Sequence, residues 1–208
     1  MSETDVIKTL QKPDDAPADP IELFMQWMED AEETEPADSN AMCLATLGAD
    51  GRISSRIVLM KGVSARGFMF YTNMESRKGL ALAANPAAAL NFHWKSLGRQ
   101  VRIEGAVSII SEREADAYFT TRPRGSRIGA WASAQSRHLE NRAELEEKVK
   151  ETEKKFSGVN EIPRPPHWGG YLLAPDLIEF WHEGAFRLHT RIVYKKGGGG
   201  WDKEMLFP

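Results

Sequence analysis

The sequence predicts a mainly β protein, a small antiparallel barrel with helices packed on its outside. Two observations predict this class. Short apolar runs separated by turn signals fill most of residues 41–110 and 170–206. Amphipathic segments with helix-capping residues precede and interrupt those runs. With 208 residues and no visible internal repeat, the chain is within the range of a single domain.

Composition and charge exclude several classes of protein. Hydrophobic residues make up 41% and charged residues 27%, an ordinary globular balance. A net charge of −3 gives no reason to expect nucleic-acid or basic membrane-surface binding. Cys43 is the single cysteine, which excludes an intramolecular disulfide and a cysteine-based zinc site, and we expect a buried small hydrophobe there. No apolar run is long enough to span a membrane, and the acidic N-terminus is unlike a secretory signal, so a cytoplasmic protein is expected.

The first element is a helix that follows a loose polar arm over residues 1–18 and opens a single domain over 19–208. Asp19 is its predicted N-cap, and Pro20 suits the first helical position. After the helix, an acidic loop is expected over residues 30–40. The predicted apolar face of the helix has the spacing of one helical stripe and consists of Ile21, Phe24, Met25 and Met28.

The middle of the chain is predicted to be strands joined by turns. A hairpin turn is expected at residues 48–51 and a short helix at 76–85. The predicted strands are Ala41–Leu47, Ile53–Val63, Phe68–Thr72, Ala88–Trp94 and Gln100–Ile110.

Two helices and four further strands are predicted in the second half. Ser111 and Glu114 form a capping box for a helix that ends near Thr121. A charged helix follows over residues 138–156, with Leu139, Ala143, Val149 and Phe156 facing inward. The predicted strands are Gly170–Leu173, Leu177–Trp181, Arg187–Tyr194 and Trp201–Leu206, the last two joined by a turn at Gly197–Gly200.

The usual backbone devices for binding phosphate are absent from the sequence. It has no G-x-G-x-x-G after a strand and no G-x-x-x-x-G-K-[ST]. It also has no H-E-x-x-H and no G-x-S-x-G. Any phosphate ester must therefore be bound by cationic and hydroxyl side chains.

Such side chains cluster in several short segments. Arg56 and Lys61 stand at the two ends of an apolar strand, and Arg77 and Lys78 begin a helix whose amides also favour an anion. Gln100 lies between two arginines. Tyr118 and Arg122 share a helix face, and with Ser126 they suit a phosphate. Taken singly, each group also has a plain structural explanation, as a solvated helix start or a surface pair.

The C-terminal segment contains the strongest indication of a site. On a strand, Arg187, His189 and Arg191 would point to one face, where they repel one another unless an anion or an aromatic ring lies between them. A solvated sheet face is the alternative. Trp181 precedes them, as a core residue or a neighbour of a flat ligand.

Taken together, these segments resemble the pyridoxamine 5′-phosphate oxidases over about residues 18–208. The matching blocks, in order, are RIVLMK, FYTN–SRK, RQVRIEG, YF–RP–S–IGAWAS–QS, WGGY, EFW and RLHxR. The resemblance implies a homodimer of six-stranded antiparallel FMN-binding split barrels, with FMN at the subunit interface and a dimerisation and substrate segment at about 165–208. It implies oxidation of pyridoxamine and pyridoxine 5′-phosphate to pyridoxal 5′-phosphate by dioxygen, with hydride transfer from the substrate to FMN and release of hydrogen peroxide.

The resemblance also assigns roles to residues, and it implies no metal. The substrate phosphate falls to Lys61, Tyr118, Arg122 and Ser126. Arg187 and His189 are the expected catalytic residues over the pyridine ring, with Leu188 between them. The FMN contacts it implies are Arg56, Ile57, Val58, Leu59, Met60, Lys61, Tyr71, Thr72, Arg77, Lys78, Gln100, Gln135, Ser136, Trp181 and Arg191.

The sequence departs from the family pattern at two places, and two rival functions remain. Thr190 replaces an aspartate in the last block, and residues 1–18 lack a segment that folds over the substrate in some members. One rival is an FMN oxidase of another substrate, such as a phenazine precursor, which would lack the substrate-phosphate residues. The other is a non-catalytic carrier of flavin or pyridoxal phosphate, which Arg187 and His189 disfavour.

Overall fold

Nine antiparallel strands form one curled sheet in the computed structural model, which describes residues 11–208. Seven follow the order β2-β1-β5-β6-β7-β4-β3, and β8 and β9 extend the sheet from β7. β2 also contacts β4, although four strands separate them in the sheet order, so the sheet curls round on itself. The strands are β1 Ala41–Leu47, β2 Ile53–Leu59, β3 Gly62–Ser64, β4 Gly67–Asn73, β5 Ala87–Trp94, β6 Arg99–Ile109, β7 Trp168–His182, β8 Thr190–Gly197 and β9 Gly200–Met205.

Five helices accompany the sheet, which confirms the predicted mainly β class with flanking helices. They are α1 Pro20–Thr34, α2 Arg77–Ala84, α3 Glu112–Thr121, α4 Arg124–Ala132 and α5 Arg142–Lys155. The expected count of six strands is wrong, since the sheet has nine. The loose arm predicted over residues 1–18 lies outside the described residues up to residue 10, and a short 3₁₀ turn follows at Pro13–Asp15. In the described part of the chain, no helix is long and apolar enough to cross a membrane.

Helix α1 fills the interior of the curled sheet. The Asp19 carboxylate caps it, as predicted, by accepting from the Ile21 amide at 2.9 Å. Phe24 is fully buried and meets the Phe68 ring edge-on at a centroid distance of 4.9 Å. Trp27 meets Phe180 in the same way. Edge-to-face aromatic pairs of this kind make the centre of the core rigid.

Two features predicted for α1 are wrong. Met25 is 48% exposed, while the unpredicted Leu23 and Trp27 are buried. The buried stripe is therefore rotated relative to the one expected. The helix also continues to Thr34, so the acidic loop is shorter than residues 30–40.

The predicted strand Ile53–Val63 is broken at Met60 and Lys61. Until Leu59 the chain pairs with β1, and the Lys61 amide then donates to the Met69 carbonyl at 2.8 Å. The chain thus changes partners from β1 to β4. Conversely, the two strands predicted around Pro175 are one, because a register shift between Glu104 and Gly105 accommodates the proline. A Cβ on Gly105 would lie 2.1 Å from the Ala174 carbonyl oxygen, so this crossing needs a glycine.

The second half differs from expectation in its helices. Ser111 and Glu114 form the predicted capping box of α3. Helix α4 was not predicted, because its two glycines weaken the helical signal. Helix α5 begins at Arg142, after its cap Asn141, so the predicted start at 138 is wrong. Of the residues expected to face inward, Phe156 is buried and Val149 is partly buried, whereas Leu139 and Ala143 are exposed.

The strand predicted from Arg187 begins only at Thr190. Arg187 belongs instead to a 3₁₀ turn, Ala185–Arg187, in which Phe186 and Arg187 have φ of 58° and 64°. Arg187, His189 and Arg191 therefore do not form one strand face, and that prediction is wrong. Two successive non-glycine residues at positive φ mark a strained turn. Cys43, expected to be buried, is only partly so.

Candidate functional site

A cleft of about 480 Å³ opens where β2, β4 and the start of β7 meet the segment joining α3 to α4. A smaller cavity of about 360 Å³ adjoins it and shares Tyr71, Arg122 and Gln135 among its walls. Most of the predicted binding residues line the cleft: Arg56, Ile57, Val58, Leu59, Lys61, Tyr71, Thr72, Lys78, Tyr118, Arg122, Ser126 and Gln135.

The cations of the cleft have no carboxylate partner in the part of the chain that the structure describes. Among residues 11–208, none of Arg56, Lys78 and Arg122 forms a salt bridge. Burial lowers the pKa of Lys78, and the neighbouring Arg56 lowers it further. Burial also lowers the pKa of Arg56, and Arg77 adds to that effect. Positive charges that disfavour one another at such short range indicate a site for an anion.

Neutral groups hold two of these cations in place. Arg56 donates from one terminal nitrogen to the Leu44 carbonyl at 3.0 Å and to the Thr46 hydroxyl at 2.8 Å, both on β1. Lys78 donates to the Thr72 hydroxyl at 3.3 Å and to the side-chain amide oxygen of Gln135 at 3.2 Å. Because these partners are uncharged, the charges stay available to a ligand.

Helix α2 brings its first turn to the edge of the cleft. The Ser76 hydroxyl accepts from the Gly79 amide, and Arg77 and Lys78 follow that cap. A Cβ on Gly79 would lie 2.1 Å from the Met74 carbonyl oxygen, so a glycine is needed for α2 to begin this close to β4. The positive end of the helix adds to the charge of the cleft.

A stack of aromatic rings forms one wall. Tyr71 and Tyr118 lie nearly parallel with centroids 4.0 Å apart, and Trp168 lies 5.3 Å from Tyr71 on the same stack. Burial raises the pKa of both Tyr71 and Tyr118, which keeps their hydroxyls protonated as hydrogen-bond donors. Trp168 was not among the predicted site residues. The sequence signal that could have marked it is the glycine pair that follows it, because a Cβ on Gly170 would lie 2.8 Å from the Tyr71 ring.

A second group of predicted residues lies elsewhere, at the far end of β7. Gln100 is in register with Trp181, and Trp181 with Arg191. The His189 ring lies 4.5 Å from that of Trp181, and its Nδ1 accepts from the Gly184 amide at 3.2 Å. None of the predicted residues of this group lines the cleft: Gln100, Trp181, Arg187, Leu188, His189 and Arg191.

Two cations around this group, Arg102 and Arg191, are paired with carboxylates inside the protein. Glu179, only 4% exposed, accepts from Arg191 Nε at 2.7 Å and from Arg102 at 3.1 Å. Arg102 also pairs with Glu104 at 2.8 Å. The hydrogen bond to Glu179 raises the pKa of Arg191. A terminal nitrogen of Arg191 donates to the Phe207 carbonyl at 3.0 Å.

Three other predicted contacts lie outside the cleft. Ser136 and Arg77 are exposed at the surface. The Met60 side chain is buried in the core, and its amide and carbonyl are both bonded to Asn40. Met60 therefore has no free polar group to offer a ligand.

The two groups are separated by the length of β7. Trp168 begins that strand, and Trp181 follows thirteen residues later. At the rise of an extended chain this is roughly 40 Å along the strand. The two groups therefore lie at opposite ends of β7.

Family models match nearly the whole chain. Residues 28–156 match the pyridoxamine 5′-phosphate oxidase model, and residues 168–208 match the pyridoxine 5′-phosphate oxidase C-terminal dimerisation region. A pyridoxine/pyridoxamine 5′-phosphate oxidase of Rhodospirillum rubrum is 56% identical over 195 residues, covering 91% of this chain and 96% of the relative. Its counterpart in Gluconobacter oxydans is 54% identical, covering 93% and 96%.

Solved structures show the same fold. PhzG from Burkholderia lata, in complex with tetrahydrophenazine-1-carboxylic acid, superposes with a TM-score of 0.88 at 35% identity, covering 94% of this chain and 95% of that one. A pyridoxamine 5′-phosphate oxidase-related, FMN-binding protein from Nostoc punctiforme has a TM-score of 0.74 at 16% identity, covering 93% and 100%. The second likeness concerns the fold alone.

Proposed function

The chain belongs to the pyridoxamine 5′-phosphate oxidase family, and from that premise we propose how its two groups of residues divide the work. It is an FMN-dependent oxidase that converts pyridoxamine and pyridoxine 5′-phosphate into pyridoxal 5′-phosphate with dioxygen, releasing hydrogen peroxide. When bound, FMN supplies the two-electron acceptor. The protein must hold both molecules and align them.

The cleft suits two phosphate esters. Arg56, Arg77 and Lys78 are assigned to the phosphate of FMN, with Thr72 and Gln135 beside it. This assignment is supported by the mutual repulsion of the three cations, since Arg77 lowers the pKa of Arg56 and Arg56 lowers that of Lys78. Tyr71 and the partly exposed strand segment from Ile57 to Leu59 are assigned to the rest of the flavin. We leave Met60 out, because its polar groups are already bonded.

The substrate phosphate is assigned to Lys61, Tyr118, Arg122 and Ser126, which share the same cleft. One terminal nitrogen of Arg122 is enclosed and has no hydrogen-bond partner among the described residues. A phosphate oxygen would satisfy this arginine with a charge-assisted bond. Binding energy from this remote group is then available to align the reacting carbon.

The second group is assigned to the same active site across a homodimer interface. Gln100, Ser136, Trp181 and Arg191 would complete the flavin site of the partner subunit. Arg187 and His189 would lie over the pyridine ring as catalytic residues, with Leu188 between them. His189 Nδ1 accepts from the Gly184 amide, which leaves Nε2 as the ring nitrogen that we assign to the substrate. The length of β7 and the dimerisation region support this division.

The reaction is tested on the purified protein as a whole. We expect it to be yellow and to lose its flavin absorbance when pyridoxamine 5′-phosphate is added without air. Readmitted air should restore the colour and release one peroxide per aldehyde. A flavin that keeps its colour with this substrate would refute the activity. Bleaching by a reduced phenazine precursor instead would favour a PhzG-like substrate, which the substrate-phosphate residues disfavour.

The sharing of the site is tested by mixing two variants that each have little activity at a low substrate concentration. Arg122→Ala should raise KM strongly, and Arg187→Ala should lower kcat as well. In a mixed dimer, one site receives both changes and the other receives neither. Unfolding and refolding the two together should therefore restore about a quarter of the wild-type activity. If mixing restores nothing while each variant still forms dimers, both residues act in one chain and the division is wrong.

A further inference from the structure

The Arg122 guanidinium lies over aromatic rings, and no carboxylate pairs with it among the described residues. Its guanidinium carbon is 4.8 Å from the centre of the Trp168 ring and 5.5 Å from that of Phe119. Burial lowers its pKa. A carboxylate would hold such an arginine but would also cancel its charge. An aromatic face holds it and leaves the charge in place.

Trp168 is itself firmly fixed. It is 6% exposed at the first position of β7, and its carbonyl accepts from Arg164 at 2.7 Å. Arg164 Nε also donates to Asp116 on α3 at 2.6 Å. Arg164 therefore ties the backbone of Trp168 to the helix that contains Tyr118.

The Trp168 ring also orders the hydroxyl donor of the site. It is within 8° of parallel with Tyr118 and within 9° of parallel with Tyr71. The same ring thus contacts the arginine and belongs to the stack that contains the tyrosine assigned to the substrate phosphate. Both side chains have their freedom of rotation reduced before any ligand arrives.

We propose that Trp168 is a positioning residue that presets Arg122 and Tyr118 for a phosphate monoester, and that it thereby sets the enzyme's affinity for phosphorylated substrates. The proposal rests on the assignment of the substrate phosphate made above. Trp168 acts through these two side chains and makes no contact of its own with the reacting atoms.

The test compares Trp168→Leu, which removes the aromatic face, with Trp168→Phe, which keeps a smaller one. The readouts are kcat and KM for pyridoxamine 5′-phosphate and the competitive inhibition constant of inorganic phosphate. A lost cation–π contact should raise KM and the inhibition constant together by about three- to thirtyfold in the leucine variant, with kcat unchanged. The phenylalanine variant should fall between it and the wild type.

Trp131 offers a matched control. It is a tryptophan on α4 with the Lys155 ammonium 4.4 Å from its ring, and it lines neither cavity. Trp131→Phe should change none of the three constants. Should Trp168→Leu lower kcat while leaving the phosphate inhibition constant unchanged, Trp168 has only a structural role and the proposal is overturned.

Arg122→Ala separates this proposal from the assignment beneath it. If Arg122→Ala weakens inhibition by phosphate and Trp168→Leu does not, the phosphate site stands and the role of Trp168 is refuted. If Arg122→Ala leaves phosphate inhibition unchanged, the assignment of the substrate phosphate is itself wrong, and the role of Trp168 is overturned with it.

Discussion

The cleft and the outer face of the sheet near Trp181 both contain arginines. Those at the sheet are paired with carboxylates, whereas those in the cleft have uncharged partners. At the sheet, the buried Glu179 pairs with Arg102 and Arg191, and Glu104 adds a further carboxylate. In the cleft, the partners that Arg56, Lys78 and Arg122 have among residues 11–208 are neutral or aromatic. Charges neutralised within the chain stabilise the fold, whereas those left without a counter-charge remain available to a ligand.

This difference separates two roles that look alike in the sequence. Arg99 and Arg102 flank Gln100 and resemble parts of a binding site. Arg99 is 3% exposed and pairs with Asp30 at 2.5 Å while it lies over Trp27, so it is a structural residue. Arg191 combines a structural role with a binding role, since it pairs with Glu179 and we assign it to the flavin.

The largest expected effect is the loss of stability when Glu179 is removed from the sheet. Glu179→Ala leaves two arginines without their buried partner, and breaking a buried pair costs about 3–5 kcal/mol of unfolding free energy. Urea denaturation of the FMN-free protein measures it. The control is Glu104→Ala, which removes a 43% exposed carboxylate from the same Arg102 and should cost about 1 kcal/mol or less. Equal losses of unfolding free energy in Glu179→Ala and Glu104→Ala would contradict the special role of the buried carboxylate.

A cation of the cleft should show the reverse behaviour. Lys78→Met removes a charge-assisted phosphate contact and should weaken FMN binding about ten- to a hundredfold. Stability of the FMN-free protein should stay the same or rise, because repulsion from Arg56 is relieved. Flavin fluorescence titration and urea denaturation give the two values. A variant that binds FMN normally but unfolds easily would make Lys78 a structural residue.

The smallest expected effect is a dependence on pH. The pKa of Lys78 is lowered in the folded FMN-free protein, first by burial and then by Arg56, so Lys78 loses its proton below the pH at which an ordinary lysine does. Between these two pKa values the unfolded chain binds more protons, and stability of the FMN-free protein rises slightly with pH. FMN affinity falls over the same interval, since the phosphate loses a cation. Lys78→Arg should keep its charge and flatten this fall, and an unchanged slope would contradict the assignment.

Local signals in the sequence predicted a large part of the fold. Strand β1 has the predicted bounds, and Asp19 and Ser111 cap their helices as predicted. Hydrophobic alternation and capping act between residues close in the chain, so the sequence records them directly. The cations of the cleft were also identified, because cations inside apolar strands and at helix starts are conspicuous, whereas Gln135 and the segment from Ile57 to Leu59 came from the family resemblance.

Long-range features were not predicted from local pattern. The change of partner at Met60 and the continuity of β7 past Pro175 depend on strands distant in the sequence. Arg187 was placed on a strand because alternation continues through it, whereas the chain makes an exposed tight turn from Ala185 to Arg187 before β8 begins. Met60 was assigned to the cofactor from its block, although it turns into the core.

The family, the mainly β class and the residue types able to bind phosphate follow from the order of the side chains along the chain. Which cations are paired with a carboxylate depends on folding, because a counter-charge such as Glu179 is distant from Arg102 in the chain. Folding also decides that Trp168 lies beneath Arg122, a contact between the ends of two elements that no local spacing encodes.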